Sequence, residues 1–147
     1  GVQTCALPIY KVFAKFDTVR RTKLDYDSKS YFILETDKGF TGSVTQDVNT
    51  TPSRKIIKIQ GSKMYLEWTC NKKDNDDSVY TCTSNGKENF IKIQKNRPDD
   101  FIIELEHIIG NKSDLIKSPI NLEHGLNTMK VLVAANASNQ SSKVVEL

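Results

Sequence analysis

The sequence predicts an α+β fold: a largely antiparallel, open β-sheet with helices packed on it. Two observations predict it. Up to about residue 94, apolar and polar residues often alternate, β-branched and aromatic side chains recur, and glycine or proline bounds many of the segments. This pattern is typical of strands joined by short turns. After Pro98, apolar residues recur three and four positions apart, which indicates helices.

Residues 38–68 are the centre of the predicted sheet. They contain three strands joined by short links, which form an antiparallel meander: residues 40–47, 55–60 and 63–68. Gly39 can take the left-handed conformation that closes a short hairpin after Asp37. Pro52 has no N–H to donate to a ladder, so we place it in the corner between the first two strands.

Two predicted strands precede this centre. Residues 10–17 form the first, with three apolar side chains on one face. These are Val12, Ala14 and Phe16. Residues 18–29 are polar and predict a loop, and residues 30–37 form the second strand. Because residues 30–37 carry apolar side chains on both faces, we expect both sides of the sheet to be covered there.

Two further strands follow the centre, at residues 78–84 and 87–94. They flank Asn85-Gly86, a strong signal for a two-residue hairpin turn. Residues 71–77 predict a charged loop, to which we assign no chemistry.

The first predicted helix begins at Pro98, where Asp99 and Asp100 suit the positive end of the helix dipole. Gly110 is a natural C-terminal stop. The apolar stripe between them consists of Phe101, Leu105 and Ile108, with Ile102 and Ile109 beside it.

Asn121 can cap a second helix that runs to about residue 136. One face of that helix is lined by Leu126, Met129 and Val133, with Leu132 adjacent. Three alanines leave its end slim enough for close packing: Ala134, Ala135 and Ala137. Residues 143–147 predict a short strand that can join a sheet edge.

Residues 1–9 match, residue for residue, the conceptual translation of a common sequencing adapter. Such segments must not enter fold reasoning. We therefore expect the domain to comprise residues 10–147 and to be a truncated part of a longer protein. The alternative is a native, mildly apolar N-terminal arm.

Composition excludes several classes of protein. The net charge of the 147 residues is only +3, and the basic residues are scattered, so no nucleic-acid partner is expected. No apolar run approaches the ~20 residues of a membrane helix. Apart from Cys5, the cysteines are Cys70 and Cys82, without metal-ligand spacing, so no metal site is expected. They can lie on neighbouring strands, and we expect a cytoplasmic protein in which they stay reduced.

Several short motifs occur in the order and spacing of one known family. They are Asp25-Tyr26-Asp27, residues 39–47, Pro52-Ser53-Arg54, Gln60-Gly61, Leu66-Glu67-Trp68, residues 101–109, residues 126–138 and residues 144–147. Together they resemble the C-terminal domain of the Gfo/Idh/MocA oxidoreductases, the glucose–fructose oxidoreductase and inositol dehydrogenase family. That domain has a dihydrodipicolinate reductase-like fold. Lys63 and Met64 depart from the pattern, standing where a second glycine is usual.

The resemblance implies a function. Members of that family join an N-terminal Rossmann domain, which holds NAD or NADP, to a sheet domain that lines the substrate site and forms subunit interfaces. Hydride passes between the nicotinamide and a sugar-like substrate. The branch that contains Pro-Ser-Arg resembles enzymes that act on sugars or nucleotide-linked sugars. The resemblance therefore implies a homo-oligomer associated through the sheet.

The expected catalytic machinery is absent from these 147 residues. The sequence has no Gly-x-Gly-x-x-Gly loop, no Glu-Lys-Pro and no Asp-x-x-x-His. The two histidines do not fit, because Ile103 precedes His107 by four residues and Ile120 precedes His124. We therefore expect no catalytic or cofactor-binding residue here, no NAD or NADP binding by this chain, and a Rossmann domain that is missing from it.

Asp47 and Arg54 are the candidate substrate-lining residues, because they bracket the polar corner around Pro52. An arginine there can hold a phosphate or carboxylate through two parallel hydrogen bonds. A structural ion pair is the other interpretation of the two. For the whole chain, the alternative function is a stand-alone β-rich binding or assembly module without catalysis.

Overall fold

The computed structural model describes residues 8–20, 25–71, 76–96, 98–110, 118 and 120–147. Predictions on the remaining residues, which include most of the adapter-like segment, lie outside the described part of the chain. The chain divides into two compact units. Unit 1 takes Gly1–Asn49 and Asn111–Leu147, and unit 2 takes Thr50–Gly110.

Unit 1 is a four-stranded antiparallel sheet with one helix packed on it. Its elements are β1 (Ile9–Val19), β2 (Tyr26–Thr36), β3 (Thr41–Asp47), α2 (Leu122–Ser141) and β8 (Val145–Glu146). The strand order is β3-β2-β1-β8. The C-terminal strand therefore joins the sheet edge as predicted, through Lys11↔Glu146 and Val12↔Val145.

The core of unit 1 lies between β1 and α2. Val12 and Ala14 on the strand, and Ala134 and Ala135 on the helix, are buried. The predicted apolar face of the first strand is thus confirmed, with Phe16 packed against the cluster. Small alanines let the helix axis approach the sheet closely, so a few side chains fill the space between them.

The packed face of α2 differs from its predicted apolar stripe. The helix extends five residues beyond the predicted end, to Ser141, and it packs on the sheet through its small residues, including buried Ser138. The predicted stripe is exposed instead; it comprises Leu126, Met129, Leu132 and Val133. Larger side chains on the packed face would hold the helix away from β1. The predicted cap is confirmed, because Asn121 Oδ1 accepts a 2.9 Å hydrogen bond from the backbone N–H of His124.

Unit 2 is a second four-stranded antiparallel sheet with order β4-β5-β6-β7. Its elements are β4 (Lys55–Gln60), β5 (Met64–Asn71), β6 (Asp76–Thr83), β7 (Glu88–Gln94) and α1 (Asp99–Gly110). No residue of α1 is buried, although residues 99–110 are all described. The described part of the chain has no helix long and apolar enough to cross a membrane.

One link of the predicted meander is wrong. β4 and β5 pair as predicted, but β3 pairs with β2 in the other sheet. The residues between β3 and β4, which include Pro52, separate two sheets rather than turning within one. Pairing of β2 with β3 follows from the tight turn at Gly39 (φ 77°), where Thr36 N–H donates to Phe40 O. The hairpin at Gly86 (φ 81°) is also confirmed.

Strand ends account for the other differences. The predicted loops at residues 18–29 and 71–77 are partly strand, because β1, β2, β5 and β6 are longer than the hydrophobic pattern indicates. Backbone pairing can continue through polar residues as long as the partner strand is present.

Candidate functional site

The two predicted substrate-lining residues fall in different units. Asp47 ends β3 in unit 1, and its Oδ1 accepts a 2.9 Å hydrogen bond from Asn49 N–H. Arg54 directly precedes β4 in unit 2 and is exposed. Neither position is tested further by the structure, so substrate contact by Asp47 and Arg54 stays a prediction.

A buried acid occupies one face of the unit 2 sheet. Asp77 is only 4% exposed, and its Oδ2 accepts a 2.9 Å hydrogen bond from Trp68 Nε1. Lys95 Nζ lies 2.5 Å from the same oxygen and 5.8 Å from the centre of the Trp68 ring. The hydrogen bond from Lys95 to Asp77 is the main reason why the pKa of Lys95 is raised.

Asp77 was not a candidate in the sequence. The predicted charged loop at residues 71–77 includes it, whereas β6 in fact begins one residue earlier at Asp76. Asp76 is also paired, with Lys92 Nζ 3.0 Å from its Oδ2. Two adjacent acids at the start of an apolar strand, with one lysine on the next strand and another just after it, are the only sequence signal for these ion pairs. Their arrangement is that of a structural anchor for the sheet.

The opposite face of the sheet carries aromatic and charged groups. Tyr65 O–H donates a 2.6 Å hydrogen bond to Glu67 Oε2, and Lys58 Nζ lies 3.5 Å from the same oxygen. The tyrosine hydrogen bond is the largest cause of a lowered pKa for Glu67, and it raises the pKa of Tyr65. The ionised form of Glu67, which accepts hydrogen bonds, is therefore favoured at neutral pH.

Tyr80 and Phe90 extend this face. Tyr80 is the cross-strand partner of both Glu67 and Phe90, and its ring lies 6.2 Å from that of Tyr65. Desolvation is the first cause that raises the pKa of Tyr80 to about 12. Phe90 is 60% exposed. The result is a surface on which aromatic rings lie beside one fixed carboxylate, that of Glu67.

A shallow cleft adjoins this surface. It has a volume of about 260 Å³ and is lined by the turn between β4 and β5 and by the end of β6. Tyr65 and Cys82 belong to both the cleft and the aromatic surface. Ligand sites combine apolar or aromatic surface with a few fixed polar groups, which is the composition found here.

The cysteines and histidines in the described part of the chain belong to no metal-binding group. Cys70 and Cys82 lie on neighbouring strands as predicted, and both are free thiols. Cys70 pairs with Asp77 and Cys82 with Tyr65, which places them on opposite faces. Within the described ranges, no three His, Cys, Asp or Glu side chains are grouped to hold a metal ion.

Solved structures share this fold. An aldose–aldose oxidoreductase from Caulobacter crescentus, solved with glycerol, superposes with a TM-score of 0.77 at 16% identity. A levoglucosan dehydrogenase, in complex with NADH and levoglucosan, gives 0.71 at 13% identity. The WlbA dehydrogenase from Bordetella pertussis, in complex with NADH and UDP-GlcNAcA, gives 0.60 at 18% identity.

Coverage is strongly asymmetric in these matches. They cover 96%, 95% and 95% of this chain, but only 42%, 45% and 42% of the respective solved chains. No family model and no curated protein matches the sequence. The predicted fold is confirmed: the chain has the α+β fold of the C-terminal domains of Gfo/Idh/MocA-type oxidoreductases.

Proposed function

We propose that this chain is the substrate-binding and oligomerisation part of an NAD(P)-dependent oxidoreductase that acts on a sugar or a nucleotide-linked sugar. One observation carries the proposal. The fold matches sugar oxidoreductases over 96% of this chain while spanning 42% of the first of them. The cofactor-binding sequence motif is absent from the 147 residues. A second domain must therefore supply the dinucleotide site, and the chain alone is inactive.

The chemistry of the aromatic surface on unit 2 supports a sugar ligand. Aromatic rings pack against the C–H faces of a pyranose, and carboxylates accept hydrogen bonds from its hydroxyls. Tyr80 and Phe90 provide the rings, and Glu67 provides an acceptor whose ionised form is favoured. Asp47 and Arg54 also stay proposed substrate contacts, each within its own unit, and Arg54 is suited to a phosphate or carboxylate of the substrate.

The coding sequence upstream of this chain tests the proposal. We expect it to encode a Gly-x-Gly-x-x-Gly loop after a strand, a Glu-Lys-Pro and an Asp-x-x-x-His in the same reading frame. A native start codon near Tyr10 would instead decide for the stand-alone β-rich binding or assembly module.

A ligand titration tests the sugar surface separately. Calorimetry with UDP-linked and free hexoses should detect binding to the protein extended by its upstream sequence, and Phe90→Ala should weaken that binding by roughly tenfold. The matched control is Phe40→Ala, which removes an equally exposed ring from unit 1. Equal affinity in the wild type and in Phe90→Ala would exclude this face as the sugar surface.

A further inference from the structure

One edge of the unit 2 sheet is an exposed, largely apolar strand. β7 is the last strand in the order β4-β5-β6-β7, and among the described strands it is paired only with β6. All seven of its residues are exposed, and three of them are large and apolar: Phe90, Ile91 and Ile93. The open edge of such a strand is a template for pairing with a further strand.

Backbone groups on alternate residues of β7 point away from the sheet. At the hairpin end of the strand, Thr83 N–H donates a 2.9 Å hydrogen bond to Lys87 O. Because hydrogen-bonded pairs alternate along an antiparallel ladder, every second residue from Lys87 onwards bonds to β6; these are Asn89, Ile91 and Ile93. The other residues direct their N–H and C=O groups outward, namely Glu88, Phe90, Lys92 and Gln94. The open edge therefore offers donors and acceptors at the spacing of a β-ladder.

The sequence of β7 is complementary to itself. When a second copy of the strand lies antiparallel to it, with Phe90 opposite the partner's Phe90, Glu88 lies opposite the partner's Lys92. The two-fold axis is perpendicular to the sheet, so this ion pair forms twice. All three residues have outward-pointing backbone groups, which gives roughly six backbone hydrogen bonds across the contact. Aromatic pairs and opposite charges are both favourable cross-strand neighbours.

Other registers of the same two strands lose this match. Sliding the partner strand by two residues sets Glu88 opposite Gln94 or Phe90 and breaks both ion pairs. Sliding it by four residues sets Lys92 opposite the partner's Lys92, or Glu88 opposite the partner's Glu88, and like charges directly opposite each other are destabilising. A slip of one residue leaves inward-pointing and outward-pointing backbone groups opposite each other. Charge and backbone pairing therefore select one register.

The internal ion pair of Lys92 is compatible with this contact. Lys92 Nζ lies 3.0 Å from Asp76 Oδ2, on the face of the sheet that also carries Glu88. Because an ammonium group has three N–H donors, Lys92 can reach the partner's Glu88 while it keeps Asp76. Its charge is directed towards its own sheet, so it does not protect the edge in the way that an edge lysine commonly does.

The two lysines that flank β7 also leave the contact free of direct repulsion. Lys87 and Lys95 lie on the other face of the sheet, because side chains alternate along a strand. In the selected register Lys87 lies opposite the partner's Ile93, and Lys95 lies opposite the partner's Asn85. Lys95 is already paired with buried Asp77, so its charge is compensated within unit 2.

The opposite edge of the unit 2 sheet lacks this complementarity. β4 contains Lys55 and Lys58 and no acid, so antiparallel copies of β4 have no opposite charges to pair along the edge. In unit 1, the outer strand β3 has Val44 as its only large apolar residue, and β8 is two residues long. The edge at β7 is therefore the one that combines apolar side chains with charges of both signs.

We propose that β7 is a docking edge for β7 of a second copy, which joins two four-stranded sheets into one through Glu88 and the partner's Lys92. The proposed function neither names this edge nor depends on it. A contact one strand long is smaller than the ~800 Å² per partner of a standard interface, so we expect a dissociation constant in the micromolar range.

Charge reversal in the 147-residue chain tests the register by sedimentation velocity between about 5 and 500 μM. Glu88→Lys sets two lysines opposite each other in both pairs, so we expect dimerisation to weaken roughly tenfold or more. Asp76→Lys/Lys92→Glu keeps the internal ion pair with its signs exchanged but sets acids opposite each other, and it should be weakened similarly. An equimolar mixture of the two variants restores opposite charges at both positions and should recover wild-type affinity. Glu106→Lys, the same change at an exposed site on α1, is the control and should dimerise like wild type.

Amide hydrogen exchange tests the backbone pairing in the wild type, so it stays informative if a charge-reversed variant fails to fold. The N–H groups of Phe90 and Lys92 point outward in a single copy, and their exchange should slow as the protein concentration rises through the dimerisation range. The N–H of Ile91 bonds to β6 and should be protected at every concentration. This contrast between neighbouring residues is specific to pairing through the β7 edge.

Three results would overturn the inference. Dimers of Glu88→Lys as tight as those of wild type would exclude the register, and dimers that form without slower exchange at Phe90 and Lys92 would exclude the edge. A wild type that is monomeric at about 500 μM would exclude self-association at the expected affinity. None of these results bears on the dinucleotide and sugar chemistry, which is measured with the upstream-extended protein, and none of the variants alters Phe90, the ring proposed to contact a sugar.

Discussion

Trp68 and Asp77 are diagonal neighbours on adjacent strands, and the indole N–H of Trp68 donates a 2.9 Å hydrogen bond to Asp77 Oδ2. The same oxygen receives Lys95, which follows β7. Three parts of unit 2 therefore converge on one buried carboxylate. An acid in that position stabilises the unit only while its charge is compensated.

Removing the compensating lysine should destabilise the protein. In Lys95→Met the Asp77 carboxylate stays buried without its ion pair, because its side chain is only 5% exposed. We expect a loss of about 2 kcal/mol in the free energy of unfolding, below the full value for a buried pair because Lys95 is partly in solvent. Urea unfolding measures it, with exposed Lys87→Met as the control. A change under 0.5 kcal/mol, of the kind expected at an ordinary surface site, would contradict the anchor role of Asp77.

The same pair has a defined pH dependence. The pKa of Lys95 is raised in the folded protein. The ion pair therefore contributes fully to the free energy of unfolding below the pKa of lysine in the unfolded chain, and this contribution is lost as pH rises through the higher pKa of the folded state. We therefore expect the stability difference between wild type and Lys95→Met to be constant from pH 7 to about 9 and to shrink above about 10.4. A difference that grows above that pH would contradict the assignment.

Ser138 is predicted to be a critical polar residue of unit 1. It is fully buried, and its Oγ accepts from Ala14 N–H at 3.0 Å and donates to Lys143 O at 2.5 Å. Ser138→Ala leaves both backbone groups unsatisfied, so we expect a loss of about 2 kcal/mol in stability. The control is exposed Ser141→Ala, which should change stability by less than about 0.5 kcal/mol. Equal melting temperatures for Ser138→Ala and wild type would contradict a stabilising role for the two hydrogen bonds of Ser138.

Much of the fold could be predicted from the sequence because strands and turns have local signals. The turns at Gly39 and Gly86 and the cap at Asn121 are determined by one to four residues. The close packing at the alanine end of α2 was predicted, and Ala134 and Ala135 are buried there. The exposure of Leu126 was not predicted, because it is as apolar as any core residue and only the proximity of β1 selects the alanines. The apolar pattern of a helix shows which face is apolar, but it does not identify the element on which the helix packs.

The candidate site was less predictable, for a related reason. Asp77 and Trp68 are nine residues apart and meet only through the register of β5 and β6. A charged stretch in the sequence resembles a solvated loop until the lysine that follows β7 is known to be its partner. Tyr65 and Glu67 are closer in sequence, and because side chains alternate along a strand, residues two apart lie on the same face.

The hydrogen bond between Tyr65 and Glu67 predicts a shifted titration. It is the main cause of the lowered pKa of Glu67, so Tyr65→Phe should raise the pKa of that carboxyl towards its ordinary value. Carbon-detected NMR titration of the glutamate side chains measures the change. Thr69→Val is the control, because its 3.4 Å hydrogen bond to the same carboxylate is a smaller cause. An unchanged Glu67 titration in Tyr65→Phe would contradict the geometry.

The chain alone should bind neither NADH nor NADPH. No glycine-rich loop is present to hold a pyrophosphate at a helix N-terminus. Calorimetric titration of the 147-residue chain should therefore give no heat of binding at up to millimolar dinucleotide. One-to-one binding with micromolar affinity would show that the chain has its own dinucleotide site. It would contradict the proposal that a second domain binds the dinucleotide.

The most direct test is the absorbance at 340 nm of the protein extended by its natural upstream coding sequence. With NAD⁺ or NADP⁺ and a panel of free and nucleotide-linked sugars, we expect sugar-dependent reduction of the dinucleotide, and no reduction by the 147-residue chain. If the extended protein binds the dinucleotide but no sugar in the panel supports its reduction, the proposed substrate class is contradicted. An extended protein that binds no dinucleotide at all would contradict the proposed function itself.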